Sequence, residues 1–292
     1  MNSVTDKARQ ANPWLRLMRL DRPIGTYLLL WPTLWALWFA GQGLPSVSNL
    51  IIFTLGVVTM RAAGCVINDY ADRNVDGSVE RTKSRPLPAG EIQPQQALIL
   101  FFVLLCLSLV LVLMTNKLTI MLSFGGLALA AIYPFLKRFT HLPQLGLGMA
   151  WASTVPMAFA AERGELPIEL WWVFAAVIVW TVAFDTYYGM VDREDDLKVG
   201  IKSTAILFGR YDLLIIALLQ LFTLILLSVA GLQFGRGWFF GSGLVVAALY
   251  FVKQHIQAKR REPAMYFESF LNNHKVGLVV FIALALDYQL LG

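Results

Sequence analysis

Two acidic runs close long apolar stretches of this chain, and their spacing suits a metal ion. The first reads Asn68-Asp69-Tyr70-Ala71-Asp72-Arg73-Asn74-Val75-Asp76, and the second runs from Asp185 through Asp192-Arg193-Glu194-Asp195-Asp196. Carboxylates are costly to hold near hydrocarbon, so such residues are functional candidates by default. Asn68, Asp72 and Asp76 stand at i, i+4 and i+8, and Asp192 and Asp196 at i and i+4. On a helix each set occupies one face. Brought together, the two faces would offer oxygen donors alone, the ligands that suit Mg²⁺. That ion is usually held by one or two carboxylates, with water and phosphate completing its shell. A basic loop follows each run: Arg81-Thr82-Lys83-Ser84-Arg85-Pro86-Leu87-Pro88-Ala89-Gly90 and Lys198-Val199-Gly200-Ile201-Lys202-Ser203-Thr204. The combination fits a metal-bridged diphosphate whose departure as pyrophosphate needs its charge neutralised. One acidic helix end alone is ordinarily a solvated cap. Two matched ends, each with a basic loop, argue for chemistry. Asp69, Glu194 and Asp195 are expected to face water or pair with neighbouring bases.

The elements that position these runs are membrane helices. The chain has 292 residues, of which 57% are hydrophobic and 15% charged. Soluble domains average about 45–50% apolar and about 25% charged. Nine apolar stretches are each long enough to cross a bilayer: roughly 24–40, 47–68, 95–115, 118–136, 144–161, 168–190, 211–231, 236–254 and 273–291. The predicted fold is an all-α polytopic membrane protein, one domain over residues 1–292. Residues 1–23 lack the apolar core of a signal peptide and read as an amphipathic segment at the membrane surface, anchored by Trp14.

Loop charges give an orientation. With the N-terminus in the cytoplasm, the opposite face holds only Lys117, Arg163 and Arg236 among the loop cations. The positive-inside rule then places the N-terminus inside and the C-terminus outside. The net charge of +5 is mostly this bias, and it gives no reason to expect nucleic-acid binding. The acidic runs follow the second and sixth stretches, so both face the cytoplasm, in what looks like a weak internal repeat of a helix-pair unit. Cys65 and Cys106 fall inside spans and are expected to be buried, inert thiols.

The two acidic motifs resemble the paired signatures of the UbiA-type intramembrane prenyltransferases. The likeness extends over nearly the whole chain. Leu20-Asp21-Arg22-Pro23-Ile24-Gly25, Leu30-Trp31-Pro32-Thr33-Leu34-Trp35-Ala36-Leu37, Arg61-Ala62-Ala63-Gly64-Cys65, Arg85-Pro86-Leu87-Pro88-Ala89-Gly90, Tyr133-Pro134-Phe135-Leu136-Lys137-Arg138 and Gly200-Ile201-Lys202-Ser203-Thr204 are similar to the branch that prenylates 4-hydroxybenzoate. The resemblance implies Mg²⁺-dependent transfer of a polyprenyl group from a polyprenyl diphosphate to the 3-position of 4-hydroxybenzoate, an early step of ubiquinone synthesis. It also implies a bacterial inner-membrane enzyme whose active site faces the cytoplasm, with lipid and two substrates as partners and no obligate protein partner.

Residue roles follow the same resemblance. Asn68, Asp72 and Asp76 would bind one Mg²⁺, and Asp192 and Asp196 a second, with Asp72 and Asp192 indispensable to catalysis. Arg73, Lys83, Arg85, Lys198 and Lys202 are candidates for diphosphate contact, against the plainer reading that they orient toward anionic lipid. Arg138 is the candidate clamp for the 4-hydroxybenzoate carboxylate, because its fork matches a carboxylate; the plainer reading is a topological charge. Arg61 and Asp185 each lie seven residues before a cluster, about 10 Å deeper on the same face. They are expected either to form a buried ion pair or to contact the aromatic substrate. Tyr70, Tyr133, Tyr187 and Tyr188 are candidates for stabilising a carbocation, or ordinary interfacial aromatics. A naphthoate or haem acceptor within the superfamily stays open, as does a secondary transporter for an anionic or isoprenoid solute. The continuous hydropathy excludes a soluble isoprenyl diphosphate synthase.

Overall fold

Prolines and polar caps open several of the helices, and glycines close others. The structure is a computed structural model and describes residues 12–76 and 82–291, without the side chains of Val75, Asp76 and Val199. Among the described residues every regular element is helical: α1 Pro13–Leu17, α2 Ile24–Gly41, α3 Val47–Asp76, α4 Pro94–Leu113, α5 Lys117–Phe139, α6 Pro143–Ala152, α7 Thr154–Arg163, α8 Leu170–Val199, α9 Thr204–Phe208, α10 Asp212–Gln233, α11 Trp238–Ala258 and α12 Pro263–Leu291. Asn12 caps α1 by accepting the Trp14 N–H at 2.9 Å, and Asn116 caps α5 through the Thr119 N–H at 2.9 Å. Gly200 ends α8 at φ +73°, in the left-handed region that glycine enters without steric cost.

Eight helical stretches among the described residues are long and apolar enough to cross a membrane. The protein is a multi-pass membrane protein. The expected span at 144–161 is instead two helices of 10 residues each, α6 and α7, meeting at Ser153. Pro156 explains part of the break, because it has no N–H to donate to the carbonyl of Ala152. The helices bearing the acidic runs exceed their apolar stretches: α3 and α8 are each 30 residues long and carry the runs in their last turns.

The chain gathers into two compact units. The first comprises Met1–Tyr27, so far as described, and Ile51–Met114. Its core is Leu17, Ala62, Ala63, Val66, Leu87, Ile92, Ala97 and Leu104. Short α1 is fixed by more than its buried Leu17. Arg16 donates to the Ser84 carbonyl at 2.6 Å and to Glu91 at 2.7 Å. A hydroxyl pair, Thr59 and Ser108 at 2.7 Å, ties α3 to α4. The outer face of α4 exposes Ile99, Phe102, Leu107 and Val110, as lipid-facing residues should be. Cys106 lies exposed on this helix, contrary to the expected burial; Cys65 is buried, and both are free thiols.

The second unit comprises Leu28–Leu50 and the chain from Thr115 onward. Helix α8 is its centre and packs against α6, α7, α9, α10 and α12. Trp35 and Trp180 lie 5.2 Å apart between ring centroids, and Trp180 meets Phe184 edge-on at 5.2 Å. The Trp35 indole N–H donates to the Gly277 carbonyl at 3.0 Å, and that of Trp180 to Asn273 Oδ1 at 3.0 Å. Gln220 donates to Gln254 across α10 and α11 at 2.9 Å. Polar pairs therefore join helices whose outer surfaces are apolar.

Gly277 permits this aromatic packing. A Cβ there would fall 2.6 Å from Trp31 Cδ1 and 3.0 Å from Trp180 Cη2. Gly277→Ala is expected to lose about 1–3 kcal/mol to overpacking. A thermal melt in detergent checks this, and an unchanged midpoint would show that the indoles move aside without cost.

Candidate active site

Helix geometry delivers the expected spacing. Asn68 and Asp72 are half-buried on α3, one turn apart, and Asp76 is the last residue of that helix, its side chain outside the described residues. Asp192 and Asp196 are half-buried on α8, also one turn apart. The carbonyl of Asp196 accepts the Gly200 N–H and, at 3.0 Å, the Ile201 N–H, so the left-handed turn comes one helical turn after the cluster. Each pair offers oxygen donors from one helix face, separated by about 5–6 Å at Cβ. Among the described residues no group of three or more His, Cys, Asp or Glu gathers into a cage. This donor set fits Mg²⁺, which takes few protein ligands and keeps water and phosphate oxygens.

The neighbouring acids divide. Glu194 and Asp195 are exposed, as expected, and Asp195 accepts from Lys198 at 3.0 Å at the surface. Asp69 is buried, only 2% exposed. It receives Arg19 at 2.9 and 3.0 Å and Arg85 at 3.1 Å, which realises the pairing alternative rather than the water-facing one. Arg19 gave no site signal in the sequence, where it read as one more positive-inside residue.

The basic candidates also differ in setting. Arg73 Nη1 donates to the Tyr70 carbonyl at 2.7 Å, and the guanidinium lies 4.2 Å from the Tyr70 ring centroid. Lys83 and Lys198 are exposed. Lys202 is half-buried; its ammonium reaches the Phe139 carbonyl at 3.3 Å, and its backbone N–H meets the Lys137 carbonyl at 2.9 Å. The loop after the second cluster is thereby joined to the end of α5, where Arg138 is exposed in the last turn. That junction within the second unit is invisible in the sequence.

Residues 29–282 match the UbiA prenyltransferase family. The chain belongs to this family. It is 58% identical over 290 residues to the 4-hydroxybenzoate octaprenyltransferase of Ectopseudomonas mendocina, covering 99% of this chain and 98% of that protein. It is 56% identical over 288 residues to the 4-hydroxybenzoate octaprenyltransferase of Psychromonas ingrahamii, covering 99% and 100%. Among solved structures, the apo UbiA homolog of Aeropyrum pernix K1 superposes with a TM-score of 0.79 at 25% identity, over 90% of this chain and 97% of that one. The Archaeoglobus fulgidus UbiA homolog bound to GPP and Mg²⁺ has a TM-score of 0.71 at 20% identity, over 94% and 99%, and shares the fold.

Arg61 is anchored by small neighbours. Arg61 is half-buried; its Nη1 donates to Cys65 Sγ at 3.0 Å, and its Nε is buried without a hydrogen-bond partner among the described residues. Its guanidinium lies on Gly25, where a Cβ would come within 2.5 Å of Nη2 and 2.7 Å of Nε. Asp185 is half-buried on α8. Of the tyrosines, Tyr187 is wholly buried in a cluster with Met190, Ala205, Ile216 and Ala258, which is a packing role. Tyr188 lies against Phe270 at 5.0 Å, and Tyr133 is half-buried.

The contact between Gly25 and Arg61 is testable. Gly25→Ala must push the guanidinium away, and Arg61→Ala removes the group it strikes. The two substitutions should be non-additive in thermal stability by about 0.5–3 kcal/mol. Additive shifts in a double-mutant cycle would mean that the two do not touch.

Proposed function

We propose that this protein transfers a polyprenyl group from polyprenyl diphosphate to the 3-position of 4-hydroxybenzoate, releasing pyrophosphate, in ubiquinone biosynthesis. The observation that carries the reading is full-length similarity, at 56–58% identity, to bacterial 4-hydroxybenzoate octaprenyltransferases. The paired oxygen donors on α3 and α8 support it. Asn68, Asp72 and Asp76 hold one Mg²⁺, and Asp192 and Asp196 a second. Bound Mg²⁺ supplies Lewis-acid neutralisation of the leaving diphosphate. Arg73, Lys83 and Lys202 add positive charge toward diphosphate oxygens, and Lys198 joins them by exchanging its exposed Asp195 partner for the diphosphate. Arg85 is assigned instead to holding Asp69, its carboxylate partner.

The chemistry divides cleanly between substrates and protein. The C–O bond to diphosphate breaks and leaves an allylic cation. The ring carbon ortho to the phenol attacks that cation, and the same carbon then gives its proton to water or to the departing pyrophosphate, restoring the aromatic ring. Arg138 binds the acceptor's carboxylate, and Arg61 and Asp185 are assigned to contact with the aromatic acceptor. The membrane location has a physical reason, because the isoprenoid tail dissolves in lipid while its diphosphate requires charge and water. The reading places the enzyme in the bacterial inner membrane, with the N-terminus and the acidic clusters on the cytoplasmic side.

Purified protein given 4-hydroxybenzoate, a polyprenyl diphosphate and Mg²⁺ should form prenylated product, and EDTA should abolish it. Product formation unaffected by EDTA would overturn the metal assignment. Asp72→Ala and Asp192→Ala should each lower turnover by at least about 100-fold, the scale of losing a charge-stabilising group, while the protein melts as before. For Arg138→Ala the Michaelis constant for 4-hydroxybenzoate should rise, with that for the diphosphate unchanged. The opposite split would remove Arg138 from the acceptor site.

A further inference from the structure

Each acidic cluster adjoins a buried carboxylate held by two arginines. In the first unit the carboxylate is Asp69, next to Asn68, and its partners are Arg19 and Arg85. In the second unit it is Asp212, the first residue of α10, with side-chain exposure of 0%. Arg193 Nη2 donates to Asp212 Oδ2 at 2.6 Å. Arg261 Nη1 donates to its two oxygens at 2.7 and 2.8 Å, and the Leu213 N–H to Oδ1 at 2.6 Å. Arg193 directly follows Asp192 on α8. Neither Asp212 nor Arg261 stands out in the sequence.

Backbone conformation singles out one arginine of each trio. Arg19 has φ +56° and Arg261 φ +58°, the left-handed region that favours glycine. Both close a turn after a helix: the Arg19 N–H meets the Arg16 carbonyl, and the Arg261 N–H the Ala258 carbonyl. Glycine would suit either backbone better. In both cases the arginine side chain ends on the buried carboxylate.

We propose that these trios are clamps that position the metal-binding clusters, with Asp69 and Asp212 as positioning residues rather than ligands. The proposal rests on the assignment of Asn68, Asp72, Asp192 and Asp196 to metal. Successive helical residues point about 100° apart. Fixing Arg193 on Asp212 therefore fixes the rotation of α8 at Asp192, and Asp196 lies one turn on along the same face. Fixing Asp69 between Arg19 and Arg85 does the same for Asn68 and Asp72 on α3. Each arginine reaches its buried carboxylate through a charge-assisted hydrogen bond, which makes the link short and directional. Asp212 also spans three segments, the ends of α8 and α11 and the start of α10, so one carboxylate sets the angle between them.

Binding of Mn²⁺ alone, followed by the loss of its free electron-paramagnetic-resonance signal, tests this on the full chain in detergent. Asp212→Asn, Arg193→Gln and Asp69→Asn should each weaken Mn²⁺ binding about tenfold, the usual cost of losing an outer-shell partner. The half-activating Mg²⁺ concentration should rise with it, while the Michaelis constant for 4-hydroxybenzoate stays put. Asp212→Glu, which keeps the charge, should recover part of the affinity. Arg193→Gln leaves Asp212 bonded to Arg261, so it decides the matter if Asp212→Asn fails to fold. A lowered melting point with wild-type Mn²⁺ affinity would make the trios structural only and overturn the proposal. Asp192→Ala separates the two readings. If it binds Mn²⁺ like the wild type, the ligand assignment fails; if it binds weakly while Arg193→Gln binds normally, only the clamp fails.

Discussion

A carboxylate withdrawn from water must be matched by nearly all the donors it can accept. That constraint organises this protein. Asp69, Asp212 and Asp287 are buried, and each is met by several donors. Asp287 receives the Gly237 N–H at 3.0 Å and the Phe240 N–H at 2.9 Å, capping the start of α11, and Arg236 at 3.4 Å. The cost of leaving such a group unmatched is several kcal/mol, roughly, so each fixes the backbone around it. Hydrophobic contact cannot do this work alone, since lipid tails satisfy apolar side chains as well as neighbouring helices do.

Seen this way, the acidic clusters and their surroundings have different tasks. Asn68, Asp72, Asp192 and Asp196 are half-buried oxygen-bearing residues at the ends of α3 and α8, and they are the residues proposed to bind the cation. The acids beside them are spent. Asp69 is consumed by Arg19 and Arg85, and Asp195 by Lys198 at the surface. The basic residues divide in the same manner, so that Arg85, Arg193 and Arg261 bind the protein's own carboxylates. A charge count over the loops does not distinguish these two populations.

Much of the fold is legible in the sequence, because a bilayer imposes length and apolarity on each span. Eight long helices fall where apolar stretches predict them, and α3 and α8 carry the acidic runs at the expected helical spacing. The break at Ser153 is less legible, because Pro156 sits inside an apolar stretch that still reads as one span. Cys106 shows the opposite difficulty. An apolar stretch does not say which face meets lipid and which meets protein, so its exposure on α4 is not predictable from its neighbours.

By itself the sequence determined the membrane class, the helical register of Asn68, Asp72, Asp192 and Asp196, and membership of a prenyltransferase family. These are local or cumulative properties, carried by spacing along one helix or by likeness along the whole chain. Only the tertiary structure decided which charges neutralise which. Arg19 reaches Asp69 across 50 residues and Arg261 reaches Asp212 across 49, distances at which no periodicity links the partners. An arginine written in a loop looks the same whether it faces lipid phosphate, a substrate or a buried carboxylate. Its partner is chosen by how the helices pack, and packing is what a linear pattern of hydrophobicity leaves undefined.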